Sequence, residues 1–597
     1  MSSESSGRVE PASPGRCLFC SLGCPLQLEQ FAPQRWRPVL DGHGEGRLCA
    51  RGHMVADLLH QPCRIYRPIG RSGQVGWDTA IREMVGHVRR EGTGIGRLLV
   101  WLDGNVAVED LAAAHRICSG WDGMARLLVH LPPHEMGVVE GLDAAEVAQA
   151  DPRNWRNADA FLVVGNPLTT HPPVAPHFLR WGQGRTNTPV VVIDSVAGVS
   201  GNYTPHRLVC RPGYEYWVVA ALLASAGLEG KIDQLPKKSF LQQVLKESGI
   251  EWERLDRAAK QLRSAHRPAV VVAPASGGAD RWRALVALAA GWAKQQNGMV
   301  SVLTGSANAL AVSRYMRRHG IDLWASGCPE DTDAGTDLLL VVGWDPSSGY
   351  PSACWRGVAE RAKHVVLASA FPPADADWVD QTVPLAMNSE VGGTYILADG
   401  HACRVNRVMS PPSGVPSIRE LFAMLGQQLS GRGVDEPIPE PASVSEEDVA
   451  ATPTTSGAPV PAPPVPDEAD GQPAVLMADP VQYMDGQMTR HSWWSQRSGL
   501  LPELWIPPRA AAAFGLEDGV TAHIRNNQGA AQVRIVVARD QPDFGGCFSE
   551  AAPQGSQAGW WAVSGGFAEI RRMASWRFDV PNESALAGTI NVSVEPV

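Results

Sequence analysis

Four cysteines near the start of the chain constrain it more than any other feature. The run Cys17-Leu18-Phe19-Cys20-Ser21-Leu22-Gly23-Cys24 is followed, after a 24-residue gap, by Cys49-Ala50-Arg51-Gly52-His53. Three thiolates in one tight loop can take three corners of a compact inorganic core, and the fourth comes from chain that leaves and returns. This C-x2-C-x3-C-x24-C arrangement suits a [4Fe–4S] cluster, whose four irons each take one thiolate. A structural zinc site usually pairs two short knuckles. Here the second half is the lone Cys49, with His53 four residues on. Zinc and unmetallated thiols stay open as alternatives. Disulfides do not suit a long chain with 11 cysteines and no secretory signal.

A length of 597 residues implies several domains. A net charge of −10 argues against broad nucleic-acid binding, which needs a basic surface. No apolar run approaches the roughly 18–20 residues of a membrane helix. The opening MSSESSGRVEPASPGR has no apolar core and no twin-arginine pair, so a cytoplasmic location is expected.

Residues 1–16 read as a disordered tail and 17–68 as a small, loop-rich iron–sulfur module. From 69 to 430, apolar strands alternate with helical segments, as in α/β proteins with parallel sheets. Arg97–Leu102, Ala125–His130, Ala160–Val164 and Pro189–Asp194 read as strands. Glu109–Cys118 and Tyr214–Leu228 read as helices. A second, similar cycle begins near residue 266, with strands at Pro268–Ala273, Asp337–Val342 and His364–Ala368, which suggests two related lobes. Residues 431–473 are rich in Pro, Ala and acidic side chains and read as a semi-extended linker. Residues 474–597 read as a small β-rich barrel, with Asn526-Asn527-Gln528-Gly529 as a hairpin turn.

The cysteine pattern, followed by Cys49-Ala50-Arg51-Gly52 and Arg64-Ile65-Tyr66-Arg67-Pro68, resembles the start of a molybdopterin-type oxidoreductase, the family that holds molybdenum or tungsten on a bis-pyranopterin guanine dinucleotide. Gly165-Asn166-Pro167 with His171-Pro172 resembles the turn after the family's first nucleotide-side strand, and Gly343-Trp344-Asp345-Pro346 its counterpart in the second lobe. Ser389-Glu390-Val391-Gly392-Gly393-Thr394 resembles the family's glutamate–glycine–threonine segment. The stretch from Ile506 to Gly519 looks like the double-psi β-barrel that binds the dinucleotide, with His491-Ser492 ahead of it resembling the pair that faces the pterin. Within this family the chain looks most like the B subunit of formylmethanofuran dehydrogenase, fused through the linker to a D-like barrel.

The resemblance implies a [4Fe–4S] module, two Rossmann-like α/β lobes and a C-terminal double-psi β-barrel. Cys17, Cys20, Cys24 and Cys49 would hold the cluster. Arg51 would stand between cluster and pterin, where a fixed cation stabilises the reduced cluster; the alternative is a solvated arginine. Gly165, Asn166, Pro167, Asp194, Gly343, Asp345, Glu390, Gly393, Thr394, His491 and Ser492 would line the molybdopterin guanine dinucleotide. The family's metal usually takes one protein ligand, often a cysteine, soon after the strand at Ala125–His130. This chain has His130-Leu131-Pro132-Pro133-His134-Glu135-Met136-Gly137 there, with no cysteine. Cys118 reads as a buried helix end. His134 and Glu135 could approach a metal from a loop, or belong to a polar surface turn. With His130 and His171 they are the candidate ligand and proton-transfer groups. An arginine common after the family's strand-end aspartate is also absent, replaced by Ser195 to Ser200.

Two functions follow. The first is a redox enzyme subunit that handles a small C1 substrate such as formate or CO2, beside other subunits of a redox or formyl-transfer complex. The second is an electron relay or scaffold that keeps the cluster and has lost the molybdenum or tungsten centre.

Overall fold

The computed structural model describes residues 15–32, 35–39, 48–89, 96–121, 124–165, 175–183, 188–194, 204–211, 213–228, 235–274, 278–323, 335–348, 352–429, 446–450 and 460–465, with parts of 474–537 and 560–596. Asn166, Pro167, His171, His491, Ser492 and the segment Ser195–Ser200 lie outside the described residues.

The body is mixed α/β, built on two largely parallel sheets. Strands such as Ala160–Gly165, Pro268–Ala273 and Leu338–Val342 are buried along their whole length. Their continuous apolar runs fit parallel strands covered by helices on both faces. Helix Trp252–Leu262 is a covering element: Leu255, Ala258, Ala259 and Leu262, at i, i+3, i+4 and i+7, are its buried residues. Helix Glu215–Leu223 is apolar after its first residue and fully buried.

The lobes are interleaved, and this corrects the expectation of a second cycle starting near residue 266. Strand Pro268–Ala273 pairs directly with Ala160–Gly165, in a five-stranded parallel sheet that also holds Val190–Asp194, Arg207–Val209 and Met299–Val302. Strand Leu338–Val342 instead pairs with Leu98–Asp103, in an eight-stranded sheet. The order there runs Asp322–Leu323, Ala125–His130, Leu98–Asp103, Leu338–Val342, Val365–Ser369, Gln381–Pro384, then the short pair Ile69–Gly70 and Gly73–Gln74. The chain therefore starts the larger sheet, builds the whole smaller one, and returns. Local periodicity identifies strands but carries no information on which distant strand each will meet.

Two helices across this body approach unusually closely. A Cβ on Gly137 would stand 2.2 Å from the Ala279 carbonyl oxygen, and one on Gly141 would stand 2.5 Å from that of Arg283. The glycines, four apart on one helical face, let helix Pro133–Ala144 lie directly on helix Ala279–Gln295.

Two further expectations are adjusted, and a third is met. Gly15 and Arg16, read as tail, pair with Leu26 and Pro25. Within 431–473, Glu446–Val449 forms a turn of 3-10 helix whose Val449 is buried in the main core, with Val460 and Val465 packed against the same core. The described parts of this stretch therefore pack on the α/β body, because Val449, Val460 and Val465 supply anchor points that bulk composition hides. At the C-terminus, described strands make a seven-stranded mixed sheet, in which Thr521–Asn526 and Gly529–Val537 form the expected hairpin with Asn526 opposite Gly529.

Candidate functional site

The cysteine module is a three-stranded antiparallel sheet, Gly15–Arg16, Pro25–Ala32 and Arg35–Val39, followed by helix Ala50–Leu58. Cys49 is the residue that starts this helix, in extended conformation. The loop bearing the other three thiols folds back on itself: the Cys17 amide donates to the Cys24 carbonyl at 2.8 Å, and the Gly23 amide to that of Cys20 at 3.3 Å. Gly23 has φ +54°, and a Cβ there would stand 2.3 Å from Leu397. Cys17 and Cys20 are buried, while Cys24 and Cys49 are half-buried.

The structure brings the four thiols together. Burial pushes the Cys17 thiol well up, and repulsion from Cys24, Cys20 and Cys49 adds to it. Cys20 is pushed up to about 11, by burial first and then by Cys49, while the Arg51 guanidinium pulls it back. Cys24 is raised by burial, Cys20 and Cys49. Four thiolates this close repel one another, and a cationic core offsets that repulsion. In a tetrahedral zinc site, bonds of about 2.3 Å put sulfurs roughly 3.8 Å apart. Among the described residues, the group with three potential ligand atoms all within 4.8 Å is Glu83, His87 and His364, so no three of these thiols are that close. Four thiols that act on one another, with the Arg51 cation beside them, are a donor set suited to a soft metal centre.

This module docks where both sheets present the carboxyl ends of their strands, the edge at which open α/β sheets place ligands. After Leu98–Asp103, the Asn105 amide side chain donates to the Leu18 carbonyl at 3.0 Å and accepts from the Ala307 amide at 2.8 Å. After Met299–Val302, the Thr304 amide donates to Ser21 Oγ at 2.8 Å, and the Ser21 amide returns a bond to the Thr304 carbonyl at 3.0 Å. After Val365–Ser369, the Ala370 carbonyl accepts from the Ile65 amide at 2.9 Å. The buried Arg64–Glu390 pair closes the far side, with two contacts of 2.8 and 2.5 Å.

Around the same edge sit Asp103, His130, Gly343 and Trp344. Asp103 and His130 end neighbouring strands and lie opposite each other. The His130 ring stacks on Trp344 at 4.3 Å. Gly343 has φ +84°, and a Cβ there would stand 3.0 Å from that of Asp103. The Asp103 carboxyl is pushed up to about 7, chiefly by burial and further by the Glu135 charge, with the Asn105 and Gly104 amides opposing.

His134 and Glu135 are not in a loop. Pro133 sits in the first turn of helix Pro133–Ala144, where its fixed φ suits a helix start. Both the loop reading and the polar-surface-turn reading are corrected: His134 is 9% and Glu135 2% exposed. Glu135 accepts the Gly305 and Ser306 amides at 2.5 and 3.0 Å, and its charge reaches both Cys20 and Asp103. It lies between the cysteine loop and the strand-end cluster.

Other candidates hold their own surroundings. Glu390 also accepts the Met387 amide at 2.9 Å. Thr394 gives its amide and hydroxyl to Glu109 at 2.8 and 2.7 Å, and Gly393 packs against Ala107. Asp345 accepts from Ser347 and from the Ala374 amide. Gly165 has φ +83°, and a Cβ there would stand 1.9 Å from the Ala273 carbonyl oxygen, so strand crowding alone demands glycine. Asp194 is buried at the end of its strand. Cys118 is buried in the main core with its thiol pushed up to about 12 by burial. Sequence reasoning missed Asn105, Ser21, Thr304 and Asp103. The turn Asp103-Gly104-Asn105 was the available signal for two of them.

No family model matches the chain. Over 239 residues it is 26% identical to a nitrate reductase of Shewanella frigidimarina (strain NCIMB 400), a span of 36% of this chain and 25% of the reductase. Acetylene hydratase from Pelobacter acetylenicus superimposes with a TM-score of 0.66, over 98% of this chain and 99% of that one, at 11% identity. The two chains share a fold. Across the described residues, no helix is long and apolar enough to cross a membrane.

Proposed function

We propose that the chain is a [4Fe–4S]-bearing subunit of the molybdopterin oxidoreductase superfamily. The observation that carries this is the convergence of Cys17, Cys20, Cys24 and Cys49 at the carboxyl edge of both sheets, with Arg51 beside Cys20. The nitrate reductase similarity and the fold shared with acetylene hydratase support the superfamily. These cysteines would hold the cluster, which supplies one-electron transfer. The protein's part is to bury the thiolates, set a fixed cation beside them, and place them next to Glu135 and Asp103. A molybdopterin guanine dinucleotide would lie along the strand ends, within reach of Asp103 and His130. The finer reading, C1 chemistry on formate or CO2 in a formylmethanofuran-dehydrogenase-like complex, rests on the cysteine spacing and the B-subunit resemblance.

One observation favours a relay or scaffold as the second reading. The segment from His130 to Gly137, after the strand where such a ligand is expected, carries no cysteine, and both Cys118 and Cys210 are enclosed in the main core. The soft ligand that such a metal commonly takes is therefore absent from this segment. Counting Fe, Mo and W on one anaerobic preparation separates the readings. About four Fe with about one Mo or W per chain supports an enzyme, and four Fe with neither supports the relay. Absence of iron overturns both.

A further inference from the structure

The geometry points to a second metal site, unrelated to the thiols, formed by Glu83, His87 and His364 and taking a divalent first-row transition ion. It lies at the opposite edge of the larger sheet from the cysteine module, because His364 immediately precedes strand Val365–Ser369 and so stands at its amino end. Glu83 and His87 are four residues apart on helix Trp77–Val88 and so project side by side. One ligand atom from each of the three residues lies within 4.8 Å of the others. Two imidazoles and a carboxylate suit zinc, nickel, copper or iron, with water completing the shell.

The support around His364 resembles that of a metal-bound histidine. Its side chain is 2% exposed. Its Nδ1 lies 3.7 Å from Asp380 Oδ2, and its Nε2 lies 3.4 Å from Gln381 Oε1. Whichever nitrogen binds the ion, the other faces an acceptor that fixes the ring, as outer-shell partners of ligating histidines do. Asp380 is itself held by the Val365 amide at 2.8 Å and by Arg71 at 2.5 Å. That pairing also balances the charge of Arg71, the nearby cation.

The two rings are stacked, 4.1 Å apart and 7° from parallel. In that arrangement their lone pairs lie in parallel planes and do not converge. His87 is on the exposed face of its helix, so it is the ligand that turns, while His364 stays fixed. Donors around a tetrahedral ion with bonds of about 2.1 Å lie roughly 3.4 Å apart, so a turn of the His87 ring and a small contraction are needed. An ion here would clip helix Trp77–Val88 to the edge of the sheet.

The test is equilibrium dialysis of the iron-loaded full chain against Ni2+, comparing wild type with His87→Ala. His87 is exposed, so the variant keeps its fold; Glu83→Gln gives a second, independent loss of a ligand. Wild type should bind one equivalent more than His87→Ala at low micromolar Ni2+. Glu83→Gln should bind at least about tenfold more weakly, since loss of outer-shell partners alone costs 10–100-fold. Ni2+ should also raise the melting temperature of wild type and not of His87→Ala. Equal uptake by wild type and His87→Ala would overturn the proposal, as would no uptake by wild type.

Discussion

Replacing Arg64 with Met tests how the cysteine module is fastened to the body. Arg64 leaves the module just past its helix and reaches Glu390, 326 residues away in sequence, through two parallel contacts of 2.8 and 2.5 Å. The two side chains are 0% and 1% exposed. Met fills a similar volume but leaves the Glu390 carboxylate buried, with the Met387 amide still donating to it at 2.9 Å. Removing one member of a buried ion pair typically costs about 3–5 kcal/mol, mostly through the charge left behind. Replacing both members with apolar groups of similar volume is often neutral or stabilising. Met387 packs in the same cluster as Cys17, Leu26 and Val55, so the damage should reach the thiol loop. Thermal and urea unfolding, followed together with iron retention, should show Arg64→Met destabilised by about 3–5 kcal/mol with faster iron loss. Arg64→Met/Glu390→Leu should recover most of that stability. A single variant within about 1 kcal/mol of wild type, or a double variant no better than the single, would refute the reasoning.

Three further outcomes follow from the packing and the charges. Gly137→Ala puts a Cβ 2.2 Å from the Ala279 carbonyl oxygen and should destabilise by about 1–3 kcal/mol, whereas Gly291→Ala, with nothing within 4 Å, should stabilise by up to about 1 kcal/mol; urea midpoints in the opposite order would show that the helix contact is misread. Asp103 carries a carboxyl pushed from 3.8 up to about 7 in the fold, so the fold holds that proton more tightly than the unfolded chain does, and its contribution is complete below about pH 3.8 and lost as pH rises through about 7. Asp103→Asn should flatten the fall in stability across that window, and an unchanged slope in a pH series of unfolding curves would contradict the assignment. Cys118→Ala should leave iron content unchanged, since that thiol is enclosed in the apolar core; iron loss in a folded variant would make Cys118 a ligand.

Much of the α/β body was legible because its strands are unbroken apolar runs and its helices keep a 3.6-residue period. The cysteine spacing likewise announced a shared centre, and the thiols do converge. Pairing was not legible. Ala160–Gly165 and Leu338–Val342 look alike as sequence, yet each is matched by hydrogen bonding to strands far from it in the chain. The fate of His134 and Glu135 was hidden for a related reason. Pro132-Pro133 is a turn signal and also a helix start, and burial under the Gly305–Ser306 loop decides for the helix. The contacts of Asn105 and Ser21 were not legible because each bonds backbone brought from far along the chain, here Ala307 and Thr304.

The central claim is that four cysteines hold one [4Fe–4S] cluster. Mössbauer and EPR spectra of anaerobically prepared protein, oxidised and dithionite-reduced, measured beside Cys20→Ser, test it most directly. The account predicts about four irons per chain, a diamagnetic oxidised centre, a paramagnetic reduced one, and loss of both iron and signal in Cys20→Ser. Zinc in place of iron, or a full cluster spectrum surviving in Cys20→Ser, would contradict it.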